Sequence, residues 1–104
     1  MIIQINTDKN IAGTDKSSAY FDSTISEALS RYSDKISRLE VHLSDENSHK
    51  EGLKDKRCML EARVEGMQPI AVTNQAGTTE QALSGALDKL KVSLHTIFGK
   101  LKTY

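Results

Sequence analysis

Two stretches of this chain alternate apolar and polar residues with a period of two, and that alternation constrains the fold more than any other feature. In ISRLEVHLSDE (36–46), Leu39, Val41 and Leu43 face one way, and Arg38, Glu40, His42 and Ser44 the other. In KRCMLEARVEG (56–66), Cys58, Leu60, Ala62 and Val64 lie on one face. Arg57, Met59, Glu61, Arg63 and Glu65 lie on the opposite one. The polar, glycine-containing NSHKEGLKD between them reads as a hairpin loop. Two half-buried strands joined in this way imply an antiparallel sheet with one dry face, and that face needs a cover.

The rest of the chain supplies the cover. MIIQIN at 1–6 is a β-branched run closed by TDKNIAG, a strand followed by a turn. Phe21, Ile25, Ala28, Leu29 and Tyr32 then follow the spacing of an amphipathic helix, predicted over 15–33. Thr14, Asp15 or Ser17 caps it, and the spacing does not choose among them. Pro69 enters a fourth strand, predicted over 69–75, at a position suited to a strand start or edge. A second helix is predicted over 78–102, where Thr78 and Gln81 have the spacing of a capping box. The expected order is β-α-β-β-β-α. No repeat, low-complexity tract or linker interrupts 1–104, so one domain is expected. Its fold class is α+β: a two-layer sandwich with both helices on one face of a four-stranded, mainly antiparallel sheet.

Composition narrows the function. Fourteen basic and fourteen acidic residues cancel, so no global field draws the chain to nucleic acid, and any polyanion site must come from local segregation. The single cysteine, Cys58, excludes an internal disulfide and fits a reducing compartment. Neither a secretory leader nor a run of ~20 apolar residues is present, so a cytoplasmic protein without a membrane partner is expected. Cys58, His42, His49 and His95 lack metal-ligand spacing, and Cys58 reads as a small core residue. There is no nucleophile elbow and no phosphate-binding loop, so neither an enzyme nor a cofactor or small-molecule substrate is expected. Glu40, Glu61 and Glu65 stand among Arg38, Arg57 and Arg63, where cross-strand ion pairs account for them.

The last helix holds the one local excess of charge. On a wheel of ~100° per residue, Leu83, Leu87, Leu90, Leu94, Ile97 and Leu101 form the apolar stripe, with Ala86 and Phe98 at its margins. Lys89 and Lys100 fall on one flank of the stripe. Lys91 and Lys102 fall on the other, with His95 beside them. Such lysines can rest their methylene stems on the core edge and extend their ammonium groups outward. They either compensate the helix dipole or track phosphates, and spacing alone supports both.

DKLKVSLHTIFGKLK (88–102), ISRLEVHLSDEN (36–47), DKRCMLEARVEG (55–66) and PIAVT (69–73), in their order, resemble the ribosome hibernation-promoting and ribosome-associated inhibitor family. Its members are also called sigma factor modulation proteins. The likeness spans essentially the whole chain, and the ordered set of segments carries it. It implies the same sandwich, similar to double-stranded RNA-binding domains. It also implies binding of small-subunit ribosomal RNA near the decoding region, with translation silenced under stress and no DNA partner. Lys89 matches a family lysine, and Lys100 and Lys102 match a basic tail in character. Lys91, His95, Arg31 and Lys35 complete the RNA-binding set expected here. Val92 and Thr96 stand where short members usually carry basic residues. Glu27, Ala28 and Ser30 occupy a commonly lysine-rich region, so the resemblance implies weakened affinity. The chain ends at Tyr104, as expected of the short form without a ribosome-pairing domain. The alternative is a protein of this fold acting through protein contacts made by its solvated sheet face.

Overall fold

The alternating strands bury their dry face as the period-two pattern requires. The computed structural model describes residues 1–7, 15–45 and 56–101, with the side chains of 15–18, 45 and 99–101 outside that description. β1 (Ile2–Thr7) runs parallel to β2 (Ile36–Asp45), placing Ile3 beside Leu39 and Ile5 beside Val41. A parallel pair cannot close through a tight hairpin, and α1 (Asp15–Ala28) forms the crossover it needs. β2 and β3 (Lys56–Val64) are antiparallel, as are β3 and β4 (Ile70–Ala76), so the sheet order is β1-β2-β3-β4. α2 (Thr79–Leu101) lies over β3 and β4, and α1 lies nearest β1.

Both helices pack on one sheet face. Phe21, Ile25, Leu29 and Tyr32 descend from the first helical segment, and Leu83, Leu87, Leu90 and Leu94 from α2. They meet Ile36, Leu39, Val41, Leu43, Cys58, Leu60, Ala62 and Val64 in one buried cluster. At about 1.5–3 kcal/mol for each fully buried aliphatic side chain, this cluster dominates the favourable side of folding. Ile97 and Phe98 stay half-buried, where the stripe reaches the edge of the sheet.

α2 is seated by two local devices. The Gln81 N–H donates to the Thr78 hydroxyl at 3.1 Å, the N-terminal cap that the T-x-x-Q spacing predicts. The Asn74 amide of β4 donates to the carbonyl of Ala82 at 3.2 Å, beneath Gly85. A Cβ on Gly85 would stand 2.1 Å from Asn74 Nδ2, so the Asn74 amide holds this position under α2 only with glycine there.

Several details depart from the sequence reading. α1 stops at Ala28, and a 3-10 turn follows at Ser30–Tyr32 where an unbroken helix to 33 was expected. Leu29 leaves the helical region (φ −104°, ψ 17°), and the Ser33 hydroxyl donates to the Ser30 carbonyl at 3.1 Å. Serine side chains that bind nearby backbone compete with α-helix in this way. β3 ends at Val64 because Gly66 turns with φ +79°, and Pro69, lacking an N–H, stands outside β4. A bulge between Ile36 and Arg38 keeps Ile36 and Leu39 both inward. On the wet sheet face the register sets Arg38 opposite Arg63 and Glu40 opposite Glu61, so these four do not face an opposite charge directly across the strands. The pairs run along the strands instead, Arg38–Glu40 at 3.9 Å and Arg63–Glu61 at 3.7 Å. Arg38 also donates to the Gln4 side-chain carbonyl on β1. The first turn, the α1 cap, the 47–55 loop and Lys102 lie outside the described residues.

Candidate nucleic-acid interface

The two flanks of α2 face different surroundings. Lys89 lies on the β4 side, where its ammonium donates to the Thr73 carbonyl at 2.7 Å. Thr73 belongs to an edge strand, so this bond occupies an acceptor that a second strand could otherwise use. Lys91 and His95 lie on the opposite flank, facing the end of α1. The wheel predicts this division. Lys100 continues α2 with its side chain outside the described set.

Where α1 ends, Tyr32 stacks on Phe98 with ring centroids 5.8 Å apart and planes inclined by 23°. The Lys35 ammonium stands 6.0 Å from the centroid of the same Phe98 ring. This contact ties the 3-10 turn to the last turns of α2 and fixes Arg31 beside them. Between the two elements lies an open cleft of ≈ 570 Å³. Ala28, Arg31 and Tyr32 line it on one side, and Asp88, Lys91, Val92, His95 and Thr96 on the other.

Two sequence-selected cations, Arg31 and Lys91, therefore gather with His95 around one cleft, whereas Lys35 stands over Phe98 outside its lining and Lys89 points elsewhere. Asp88 is the carboxylate within the lining. It sits 4.0 Å from Lys91, and both partners are largely solvated, so the pair contributes little and leaves Lys91 free to reorient. The exposed Asp22 and Glu27 keep the later turns of α1 from being basic, and Arg31 comes from the 3-10 turn that follows it.

Sequence reasoning did not single out Tyr32, Asp88 and Val92 as members of one cleft. Val92 carried a signal, since an apolar residue on the wet side of a helical wheel is unexplained by the core. It is 66% exposed. Cys58 is fully buried on the helix-facing side of the sheet, and burial pushes its thiol from 9.0 up to about 12, which makes it a poor ligand and nucleophile. Among the described residues no three His, Cys, Asp or Glu side chains converge on a metal position. No helix of the described residues is long and apolar enough to cross a membrane.

The family model for sigma 54 modulation protein / S30EA ribosomal protein matches residues 3–102. Among solved structures, the chain is similar to the N-terminal domain of Protein Y from Thermus thermophilus. That likeness has 21% identity and a TM-score of 0.73, and covers 93% of this chain and 99% of the other. It is also similar to a ribosomal subunit interface protein from Coxiella burnetii, with 16% identity and a TM-score of 0.71. There the coverage is 95% of this chain and 99% of the other. At these identities the two structures bear on the fold. Among curated protein sequences, none matches.

Proposed function

Because the chain belongs to the sigma 54 modulation protein / S30EA ribosomal protein family, we propose that it is a ribosome-associated factor acting without catalysis. It binds ribosomal RNA of the small subunit near the decoding region, in the cytoplasm, and silences translation by occupying space needed by messenger and transfer RNA. The observation that carries this reading is the gathering of Arg31, Lys91 and His95 around one cleft of a chain with no net charge, with Lys35 nearby over Phe98. The likeness to a ribosomal subunit interface protein from Coxiella burnetii supports the same reading.

The cations act by neutralising phosphates and releasing condensed counterions. Arg31 presents a planar fork and Lys91 a mobile point charge, so together they can grip a backbone at two heights across the cleft. Lys100 and Lys102 complete the proposed set of phosphate partners in the sequence. Lys89 contributes less, since it must give up Thr73 before it meets a phosphate.

Sedimentation with purified small subunits through sucrose gradients tests the reading. The wild-type protein is expected in the subunit peak and an Arg31→Gln/Lys35→Gln/Lys91→Gln variant at the top of the gradient, with translation inhibition lost in parallel. A folded triple variant that still co-sediments would refute the phosphate-driven reading and favour binding through protein contacts.

A further inference from the structure

The lining of the inter-helix cleft is not that of a simple phosphate groove. Val92 stands 66% exposed in its lining, with Ala28 and the largely buried Tyr32 as the other apolar members. A surface that only tracks phosphates gains nothing from an exposed valine, and leaving one in water is unfavourable. Asp88 adds a carboxylate, which repels phosphate but accepts hydrogen bonds from amines. Arg31 and Lys91 supply cations at the border. Apolar walls, an acceptor and flanking cations are three features that one ligand must satisfy together.

We infer that this cleft takes a single unstacked nucleotide of an RNA strand. Its base lies against Val92 and Ala28, an exocyclic amine faces Asp88, and the adjoining phosphate meets Arg31 and Lys91. The assignment rests on the ribosomal reading above and deepens it, because it names what the surface recognises. A volume of ≈ 570 Å³ falls within the ~300–1,000 Å³ typical of small-ligand sites. Each chemical part has a counterpart in the nucleotide: the base offers a flat apolar face and edge donors, and its 5′ or 3′ phosphate offers the anion. A stretch of duplex cannot enter, since its bases are stacked and their faces covered. Carboxylates attract amino donors of bases by the same hydrogen bond that lets acidic side chains read cytosine. His95, on the wall formed by α2, offers an imidazole ring on which the base can stack.

The cleft owes its shape to local backbone. Had α1 continued to 33 as an unbroken helix, Arg31 would follow helical spacing from Ala28 along one straight axis. The tightening at Leu29 and the stacking of Tyr32 on Phe98 instead hold the end of that segment against α2. The site is therefore built on packed elements.

Fluorescence anisotropy with labelled RNA eight-mers, single-stranded and as blunt duplexes, tests the inference at fixed salt. The single strand is expected to bind several-fold tighter than the duplex, reversing the order set by charge density alone. Val92→Asn, which removes the apolar wall without adding charge, is expected to weaken single-strand binding about ten-fold, the scale of burying one valine, and duplex binding less than two-fold. His95→Ala, on the exposed wall, should act in the same direction, and circular dichroism checks that both variants remain folded. Equal binding of single strand and duplex, or equal losses for both in Val92→Asn, overturns the nucleotide site. Sedimentation separates this from the broader reading. Subunit binding by wild type with no single-strand preference defeats the cleft inference alone, whereas failure of wild type to co-sediment defeats the ribosomal reading.

Discussion

Gly85→Ala should destabilise the protein although it replaces the poorer helix former with the best one. Taken alone, the exchange in a helix interior favours folding by about 1 kcal/mol. In this fold the new Cβ would stand 2.1 Å from Asn74 Nδ2 and 2.7 Å from Asn74 Cγ, distances that real contacts do not reach. Either Asn74 swings away from the Ala82 carbonyl or α2 lifts from β4. Swinging away forfeits the hydrogen bond and leaves a half-buried amide short of a partner, at about 1–3 kcal/mol. Lifting the helix instead costs the roughly 1–3 kcal/mol typical of overpacking. Set against the propensity gain, the net loss is about 0–2 kcal/mol. For a domain of this size each kcal/mol shifts Tm by about 4–8 °C, so a drop of up to roughly 16 °C is expected by circular dichroism, against the rise that propensity alone would give. The double variant Asn74→Ala/Gly85→Ala removes the obstructing amide and fills its space with a methyl group. It should recover most of the loss, giving a coupling above the ~0.5 kcal/mol expected of independent sites. A Gly85→Ala protein more stable than wild type by the full propensity gain, or a double variant no better than the single one, would refute the close-approach argument.

Lys89→Met should leave subunit binding closer to wild type than Lys91→Gln does, because Lys89 is engaged with Thr73 at the sheet edge. Its stability cost should stay below about 1 kcal/mol, while freeing the β4 edge should raise aggregation, measured by light scattering over days. Cys58 should resist thiol-reactive dyes at pH 8 and react only on unfolding, because burial suppresses the thiolate. Its raised pKa favours the folded state's neutral thiol. The associated stability is therefore fully present below pH 9.0 and lost as pH rises toward about 12. Replacing Cys58 with Ala should flatten that alkaline slope in denaturant titrations.

The elements of the fold were legible because periodicity changes cleanly along the chain. The alternation in Leu39, Val41 and Leu43, repeated in Cys58, Leu60 and Ala62, specifies which face is dry. The bulge at Ser37 was not legible, since ISRL satisfies a regular strand as readily as an irregular one. Its signature is the buried Ile36 and Leu39 around two exposed residues. The end of α1 was misread because Leu29 and Tyr32 retain helical spacing through the 3-10 turn. Hydrophobic pattern does not distinguish i+3 from i+4 geometry over one turn. The flanks of α2 were readable from the wheel, but their partners were not. That Lys89 meets Thr73 while Lys91 meets the end of α1 depends on where α2 lies on the sheet, a tertiary fact absent from local spacing. Asp88 and Val92 became site candidates only when Ala28 and Arg31 were brought beside them.

A neutral chain with few gathered cations can draw only limited affinity from counterion release. If Arg31, Lys35, Lys91, Lys100 and Lys102 each neutralise one phosphate, five contacts at ~0.7–0.9 log units each give a salt slope near −4. Extrapolated to 1 M salt, that contribution vanishes, and what remains is the salt-independent part of binding. The two halves of the cleft should then separate in a single experiment. Arg31→Gln removes a phosphate partner, so it should flatten the slope by nearly one unit and leave the 1 M intercept close to wild type. Val92→Asn touches no charge, so it should keep the slope and lower the intercept by about one log unit, the ten-fold loss expected of a displaced base. Titration of small subunits between 50 and 300 mM salt supplies both quantities for each variant. If Val92→Asn instead changes neither slope nor intercept, then Val92 is a solvated residue on a helix surface and the cations alone hold the protein to RNA.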